Sequence, residues 1–324
     1  MRANLTRRAT GSRMPGMKTY TKCHVPHRGV HSSVAIALLT LLGIALFSCA
    51  SVRTVAPGDG PPPLPENAAH LAFVGHTSYG VEQGELPGKY GCTLVYEFYR
   101  PVEPATEVVV FLGHGFMRNL ALMRDWAAIW ASYGVPTVVV TFCNSNLFSG
   151  NHDRNAADLR ELARALHDGP VIYAGFSAGG LSAYLAAAQD PRAAAFLGLD
   201  PVDSGNLASI AAATLSVPAL FLVGEPSSCN SKNNILKALP SEARVVRITN
   251  AAHCHFENPY DPGCEGLCGK VQPTDASDEI LYSIRSLATS WILTRTGALP
   301  EASAILDGAL AVSPGWERRV TVVR

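Results

Sequence analysis

Seven short runs rich in Val, Ile, Leu and Ala recur between residues 93 and 248, with helix-patterned segments among and after them, and this alternation restricts the fold more than any other feature. The runs cover residues 93–99, 107–112, 136–142, 170–174, 194–199, 219–223 and 243–248. Several are solid apolar blocks, as strands buried on both faces require. Segments 118–133, 156–167, 178–189 and 275–293 carry helical periodicity. Leu159, Leu162 and Leu166 share one face of the second, and Ile280, Ile284, Leu287 and Trp291 one stripe of the last. Strands alternating with helices predict the α/β class, a mostly parallel central sheet with helices on both faces. Ligands bind such sheets at the carboxyl ends of the strands, so chemistry is expected in the residues just after each run.

After the run 170–174 comes Gly175-Phe176-Ser177-Ala178-Gly179-Gly180, followed at once by an Ala-rich helical segment. This is G-x-S-x-G between a strand and a helix, the context in which a serine is pushed out of a tight turn as a nucleophile. The glycines are needed because a side chain at either position would strike a neighbouring element. After the run 107–112 comes a second glycine turn, Gly113-His114-Gly115-Phe116-Met117. The amides of Phe116 and Ala178 are the expected pair of donors to an oxyanion, with His114 a supporting hydrogen bonder. A catalytic serine needs an imidazole base, and the imidazole needs a carboxylate to hold its tautomer. The run 194–199 ends in Asp200-Pro201-Val202-Asp203, and the run 219–223 ends in Gly224-Glu225, so Asp200, Asp203 and Glu225 are the candidate acids. Asn250-Ala-Ala-His253-Cys254-His255 follows the last run; His253, directly after small residues, is the expected base and His255 a capping or substrate-facing residue.

In this order of turn, elbow, acid and final histidine, residues 70–297 resemble the α/β-hydrolase family. The segment Gly198-Leu199-Asp200-Pro201-Val202-Asp203 is similar to the GLDPVD of plant chlorophyllases, related to dienelactone-hydrolase-like members, and to the GLDP of pancreatic-type lipases, where that Asp is the acid. The resemblance implies an α/β-hydrolase fold and favours Asp200, although most members take the acid from the position of Glu225. The elbow Gly-Phe-Ser-Ala-Gly-Gly differs from the GHSRGG of chlorophyllases, which points to a general carboxylesterase. Only about one helix of chain separates Asp203 from residue 217, so no large lid is expected.

The net charge of zero hides an asymmetry. The first 48 residues hold Arg2, Arg7, Arg8, Arg13, Lys18, Lys22 and Arg28 and no acid, so of 26 basic and 26 acidic residues, 19 and 26 remain for the rest. An acidic body argues against nucleic acid as a partner. The basic stretch precedes a 14-residue uncharged run at residues 34–47, short for a membrane span of about 20 residues but suited to a secretory signal. Leu46-Phe47-Ser48-Cys49 resembles a bacterial lipoprotein signal, with Cys49 as the lipidated residue. The expected organisation is a leader at 1–48, a Pro/Gly-rich linker at 49–69, a catalytic domain at 70–297 and a tail at 298–324, either an extra edge element or a loose terminus.

Cys92, Cys143, Cys229, Cys254, Cys264 and Cys268 allow up to three disulfides in an exported body, with open connectivity. A bridge among Cys254, Cys264 and Cys268 would pin the loop carrying His253; zinc at Cys254, His255, Cys264 and Cys268 is the weaker reading. The expectation is a membrane-tethered, monomeric serine hydrolase acting on small-molecule or lipid-like esters without metal or cofactor. Thioesterase or peptidase activity on the same triad, and a non-catalytic exported scaffold, are the alternatives.

Overall fold

A computed structural model describes residues 71–146, 150–268, 277–313, 316 and 319–324. The expected leader, Cys49 and the linker lie outside the described residues. The strands are β1 (Tyr79–Pro87), β2 (Thr93–Pro101), β3 (Val109–Gly113), β4 (Thr137–Thr141), β5 (Val171–Phe176), β6 (Ala193–Leu199), β7 (Ala219–Val223), β8 (Ala243–Ile248) and β9 (Val320–Val322). They form one sheet in the order β1-β2-β4-β3-β5-β6-β7-β8-β9. β4, β3 and β5 through β8 run parallel, while β1 and β2 at one edge and β9 at the other are antiparallel to their neighbours. The helices are α1 (Arg124–Ser132), α2 (His152–Leu166), α3 (Ser177–Gln189), α4 (Leu207–Ala211), α5 (Pro262–Cys268), α6 (Ser277–Thr296) and α7 (Ser303–Leu310).

Alternate residues along each parallel strand enter opposite cores. Val110, Leu112, Ile172, Leu197, Leu220 and Val246 pack beneath Trp126 and Trp130 of α1 and Ile284, Leu287 and Trp291 of α6. Val109, Phe111, Tyr173, Phe196, Phe221 and Val245 pack beneath Leu159 and Leu162 of α2 and Leu181 and Leu185 of α3. This two-sided burial is why the strands read as unbroken apolar blocks rather than alternating patterns. The molecule is therefore of the mixed α/β class, with helices covering both faces of the sheet.

Two strands lie outside the seven runs. β1 pairs with β2 along its whole length but contains Glu82, Gln83, Glu85 and two glycines, the composition of a half-exposed edge strand. Gly84 leaves room for the Tyr96 ring, which occupies the place where a side chain would project. β9 is an edge element built by the tail, pairing Val246 with Val322 and Ile248 with Val320. α7 belongs to the body as well, because Ala302, Leu306, Ala309, Trp316 and Val320 are buried with α6 in one core.

Removing residues 298–324 uncovers that part of the core and leaves β8 as an open edge. Apolar burial alone sets the loss at about 5 kcal/mol, so the truncated chain is expected to unfold at much lower urea concentration. An unchanged midpoint would mean that α7 and β9 do not hold the body together.

Candidate functional site

The strand order reverses at β3, which has β4 on one side and β5 on the other, so the carboxyl ends of β3 and β5 open into the crevice where parallel sheets take ligands. Gly113 pairs with Gly175 across these two strands, and a turn leaves each of them. The turns approach so closely that a Cβ on Gly179 would fall on the His114 carbonyl, and one on Gly175 would fall on the Gly179 carbonyl. Only glycine fits at either place. Ser177, between them, adopts a φ of 54°, a left-handed conformation that aims its side chain away from the sheet at the start of α3.

The Ser177 hydroxyl donates to His253 Nε2 at 2.8 Å, and His253 Nδ1 donates to Asp200 Oδ2 at 2.6 Å. The carboxylate, an acceptor only, fixes the imidazole proton on Nδ1 and leaves Nε2 free to accept. All three side chains are buried or nearly so, and the Phe176 ring packs against the imidazole with centroids 4.7 Å apart. Asp200 stands at the end of β6 with a φ of 43°. Its Oδ1 accepts the Gly224 N–H at 2.9 Å and its Oδ2 accepts from Asn230 Nδ2 at 3.1 Å. Asn230 is itself buried and held in place, donating to the Glu225 carbonyl at 2.8 Å and accepting the Ser227 N–H at 2.7 Å. It is the principal site residue that the sequence reading missed, because an asparagine inside a polar loop carries no signal of its own.

The other candidate acids are occupied elsewhere. Glu225 accepts the Asn250 N–H at 3.1 Å, and Asp203 caps α4 by accepting the Ala208 N–H at 3.0 Å and the Ser209 hydroxyl at 3.0 Å. His255 accepts the Ala252 N–H through Nδ1 and stacks on Tyr260, a structural arrangement rather than a second base.

On the opposite side of Ser177, Gly115 approaches its Cβ so closely that a side chain there would press on Phe176 and Ser177. Among the described residues the Phe116 amide makes no backbone hydrogen bond, and the Ala178 amide lies in the first turn of α3, where N–H groups have no partner within the helix. His114 lies beneath this turn, donating through Nδ1 to the Gly115 carbonyl at 2.7 Å and accepting the Phe142 N–H through Nε2 at 2.9 Å. Complete burial pushes its pKa down to about 4, against the weaker opposing effect of the Gly115 carbonyl.

The six cysteines pair as Cys92–Cys143, Cys229–Cys268 and Cys254–Cys264. Cys254 adjoins His253 and Cys229 adjoins Asn230, and both bridges end on α5. The sulfurs of Cys254, Cys264 and Cys268 do cluster, but the bridges account for all three. Together these groups form a hydroxyl–imidazole–carboxylate chain beside the turn of the Phe116 amide and the first turn of α3, a set that can move a proton off the hydroxyl while accepting negative charge nearby. No protein-family model matches the chain, and no curated protein matches it in sequence.

His114 gives a pH prediction whose sign follows from linkage. Its folded pKa lies below the ordinary value of 6.5, so between pH 6.5 and about 4 the unfolded chain binds more protons and stability falls as the pH falls. The loss across that window is on the order of 3 kcal/mol. Urea unfolding at pH 7 and pH 4 should show His114→Asn losing less than the wild type across this interval; equal losses would show that His114 does not titrate in this way.

Proposed function

We propose that this chain is an exported serine hydrolase of the α/β-hydrolase fold that cleaves carboxylic esters. The observation that carries the reading is the continuous hydrogen-bonded chain from Ser177 through His253 to Asp200, at 2.8 and 2.6 Å. The strand order, with the nucleophile after β5, the acid after β6 and the histidine after β8, supports the fold assignment.

In the proposed reaction Ser177 Oγ attacks the ester carbonyl carbon while His253 Nε2 takes its proton. The Phe116 and Ala178 amides stabilise the oxyanion, aided by the positive end of α3. His253 then gives the proton to the departing alcohol, leaving an acyl-enzyme. Water, deprotonated by His253, attacks that ester, and collapse releases the acid and restores Ser177. Asp200 holds the imidazole and stabilises its charged form throughout.

Apolar and bulky esters suit the rim, where the Phe116 and Met117 side chains stand exposed. Between β6 and β7 the chain folds only the five-residue α4, which leaves little material for a cover. Three disulfides are compatible with an oxidising compartment, and among the described residues no helix is long and apolar enough to cross a membrane. The further proposal that Cys49 carries a lipid tether rests on the sequence around it.

A chain starting at residue 51, assayed on p-nitrophenyl esters of increasing acyl length, tests the reading, with thioester and peptide substrates marking how far the same chemistry extends. Ser177→Ala is expected to lower kcat/KM by at least about 10⁴-fold, and Asp200→Asn by about 10³- to 10⁴-fold. Glu225→Gln should leave the rate unchanged. A folded wild type that neither hydrolyses any ester nor reacts with a fluorophosphonate at Ser177 would place a non-catalytic scaffold ahead of the esterase.

A further inference from the structure

The turn carrying the Phe116 amide and the loop carrying His253 come from distant parts of the chain, and one side chain spans the gap. Arg118 closes the turn that starts at Gly115, its N–H donating to the Gly115 carbonyl at 3.2 Å. Met117, inside the turn, has a φ of 58°, a conformation a long L side chain keeps only where its surroundings enforce it. The exposed Phe116 and Met117 side chains give the turn no hold on the core. At its start the turn is held through the Gly115 carbonyl, which accepts from His114 Nδ1 at 2.7 Å and from the Ser145 hydroxyl at 3.3 Å, and the Met117 N–H donates to the Ser145 carbonyl at 2.7 Å. At its end the turn is held by the Arg118 guanidinium, whose Nε lies 2.8 Å from Glu257 Oε1 and whose Nη1 lies 3.2 Å from Asp261 Oδ2.

Glu257 is a fixed post for that guanidinium. It directly follows the single helical turn His253–Phe256, so the base and the carboxylate sit on one short rigid segment. Its neighbours are bonded to the start of α1 without help from Arg118. The Asn258 N–H donates to the Leu122 carbonyl at 3.0 Å, the Asp125 N–H donates to the Asn258 carbonyl at 3.0 Å, and Trp126 Nε1 donates to the Phe256 carbonyl at 3.1 Å. The Glu257 side chain is wholly buried, and among the described residues neither of its oxygens accepts a hydrogen bond, so the Arg118 charge beside Oε1 is its compensation. A stability role alone does not account for such a group, since an apolar side chain fills a buried site at lower desolvation cost.

We propose that Arg118 and Glu257 are positioning residues that clamp the Phe116 amide at a fixed distance from His253, so that oxyanion donor and base meet the same carbonyl group. This rests on the esterase reading above. Arginine is required, because two of its nitrogens stand against two carboxylates at once, whereas a lysine ammonium offers a single nitrogen.

The test compares Arg118→Lys, Arg118→Met and the double variant Arg118→Met/Glu257→Gln, which removes the buried charge together with its partner and leaves no unpaired charge between them. Rates are taken per active site titrated with fluorophosphonate, which removes any effect of a misfolded fraction. A displaced donor is expected to lower kcat by roughly tenfold to a hundredfold in all three. KM should stay within about threefold, because the clamp serves the transition state more than the bound ester. Inhibition by a trifluoromethyl ketone, which forms an oxyanion on Ser177, should weaken in step with kcat/KM. Wild-type kcat per titrated site in the folded double variant would overturn the clamp. A second readout is independent of activity: hydrogen exchange of the bonded Met117 and Arg118 amides should accelerate in the double variant while α3 is unchanged. If the wild type shows no turnover and no labelling, the esterase reading fails by itself, and unaltered exchange at Met117 and Arg118 would reject the clamp separately.

Discussion

Backbone meets backbone at the ends of β3 and β5, and the site depends on that contact. Because the His114 carbonyl fills the space where Gly179 would carry a side chain, α3 starts directly against the turn after β3. Three consequences follow from that one approach. Ser177 is forced into the left-handed region, which lifts its hydroxyl off the sheet. The turn carrying the Phe116 amide, more than sixty residues before Ala178 in sequence, comes against Ser177 through Gly115. His114, sealed beneath both turns, bridges the Gly115 carbonyl and the Phe142 N–H as a neutral ring, and a charged one would lose its acceptor at Nε2. Sequence, backbone conformation and reactivity are joined here by exclusion of a single methyl-sized volume.

The choice of acid is made by the ends of two adjacent strands. Asp200 leaves β6 with its N–H bonded to the Leu222 carbonyl at 2.7 Å, so its side chain turns across the end of β7 and receives the Gly224 N–H. Glu225 follows that same Gly224 but extends to Asn250, away from the imidazole. Three donors, from Gly224, Asn230 and His253, meet the two oxygens of Asp200 and offset its removal from water. Glu257, by contrast, is buried with one of its oxygens against Arg118, and burial holds its pKa up at about 7, Asp261 adding to the rise and Arg118 opposing it. Two buried carboxylates thus differ in how fully they are compensated, and the better compensated one faces the base.

What the sequence made legible follows the same physics. The parallel strands were readable because two-sided burial demands unbroken apolar blocks, and the ends of 219–223 and 243–248 coincide with β7 and β8. β1 was not, because an edge strand with one face in water accepts Glu82, Gln83 and Glu85, and its pairing with β2 rests on backbone groups that every sequence has. β9, three residues long, leaves too short a pattern to distinguish an edge from a loose end. Ser177 and His253 were legible because glycines and small residues mark their turns. Asn230, Arg118 and Glu257 were not, since each acts through a partner brought close only by the fold. Of Asp200, Asp203 and Glu225, residue type favoured none and only the resemblance of residues 198–203 favoured Asp200; in the fold Asp200 is the one that meets His253.

Covalent closure answers a difficulty that hydrogen bonds alone leave open. The acid and the base are 53 residues apart, and the segments that support them, around Asn230 and His253, are loops and short turns outside the strands of the sheet. Cys229–Cys268 closes a separation of 39 residues and Cys254–Cys264 one of 10, and both end on the seven-residue α5. Each bridge removes conformations from the unfolded loop rather than adding a contact to the folded one. The stabilisation therefore falls in the segments beside Asn230 and His253. Cys92–Cys143 serves the other flank, joining the start of β2 to the segment after β4 whose Phe142 N–H holds His114. The bridges thus stand at both sides of the crevice, in the loops that support the imidazole, its carboxylate and the turn after β3.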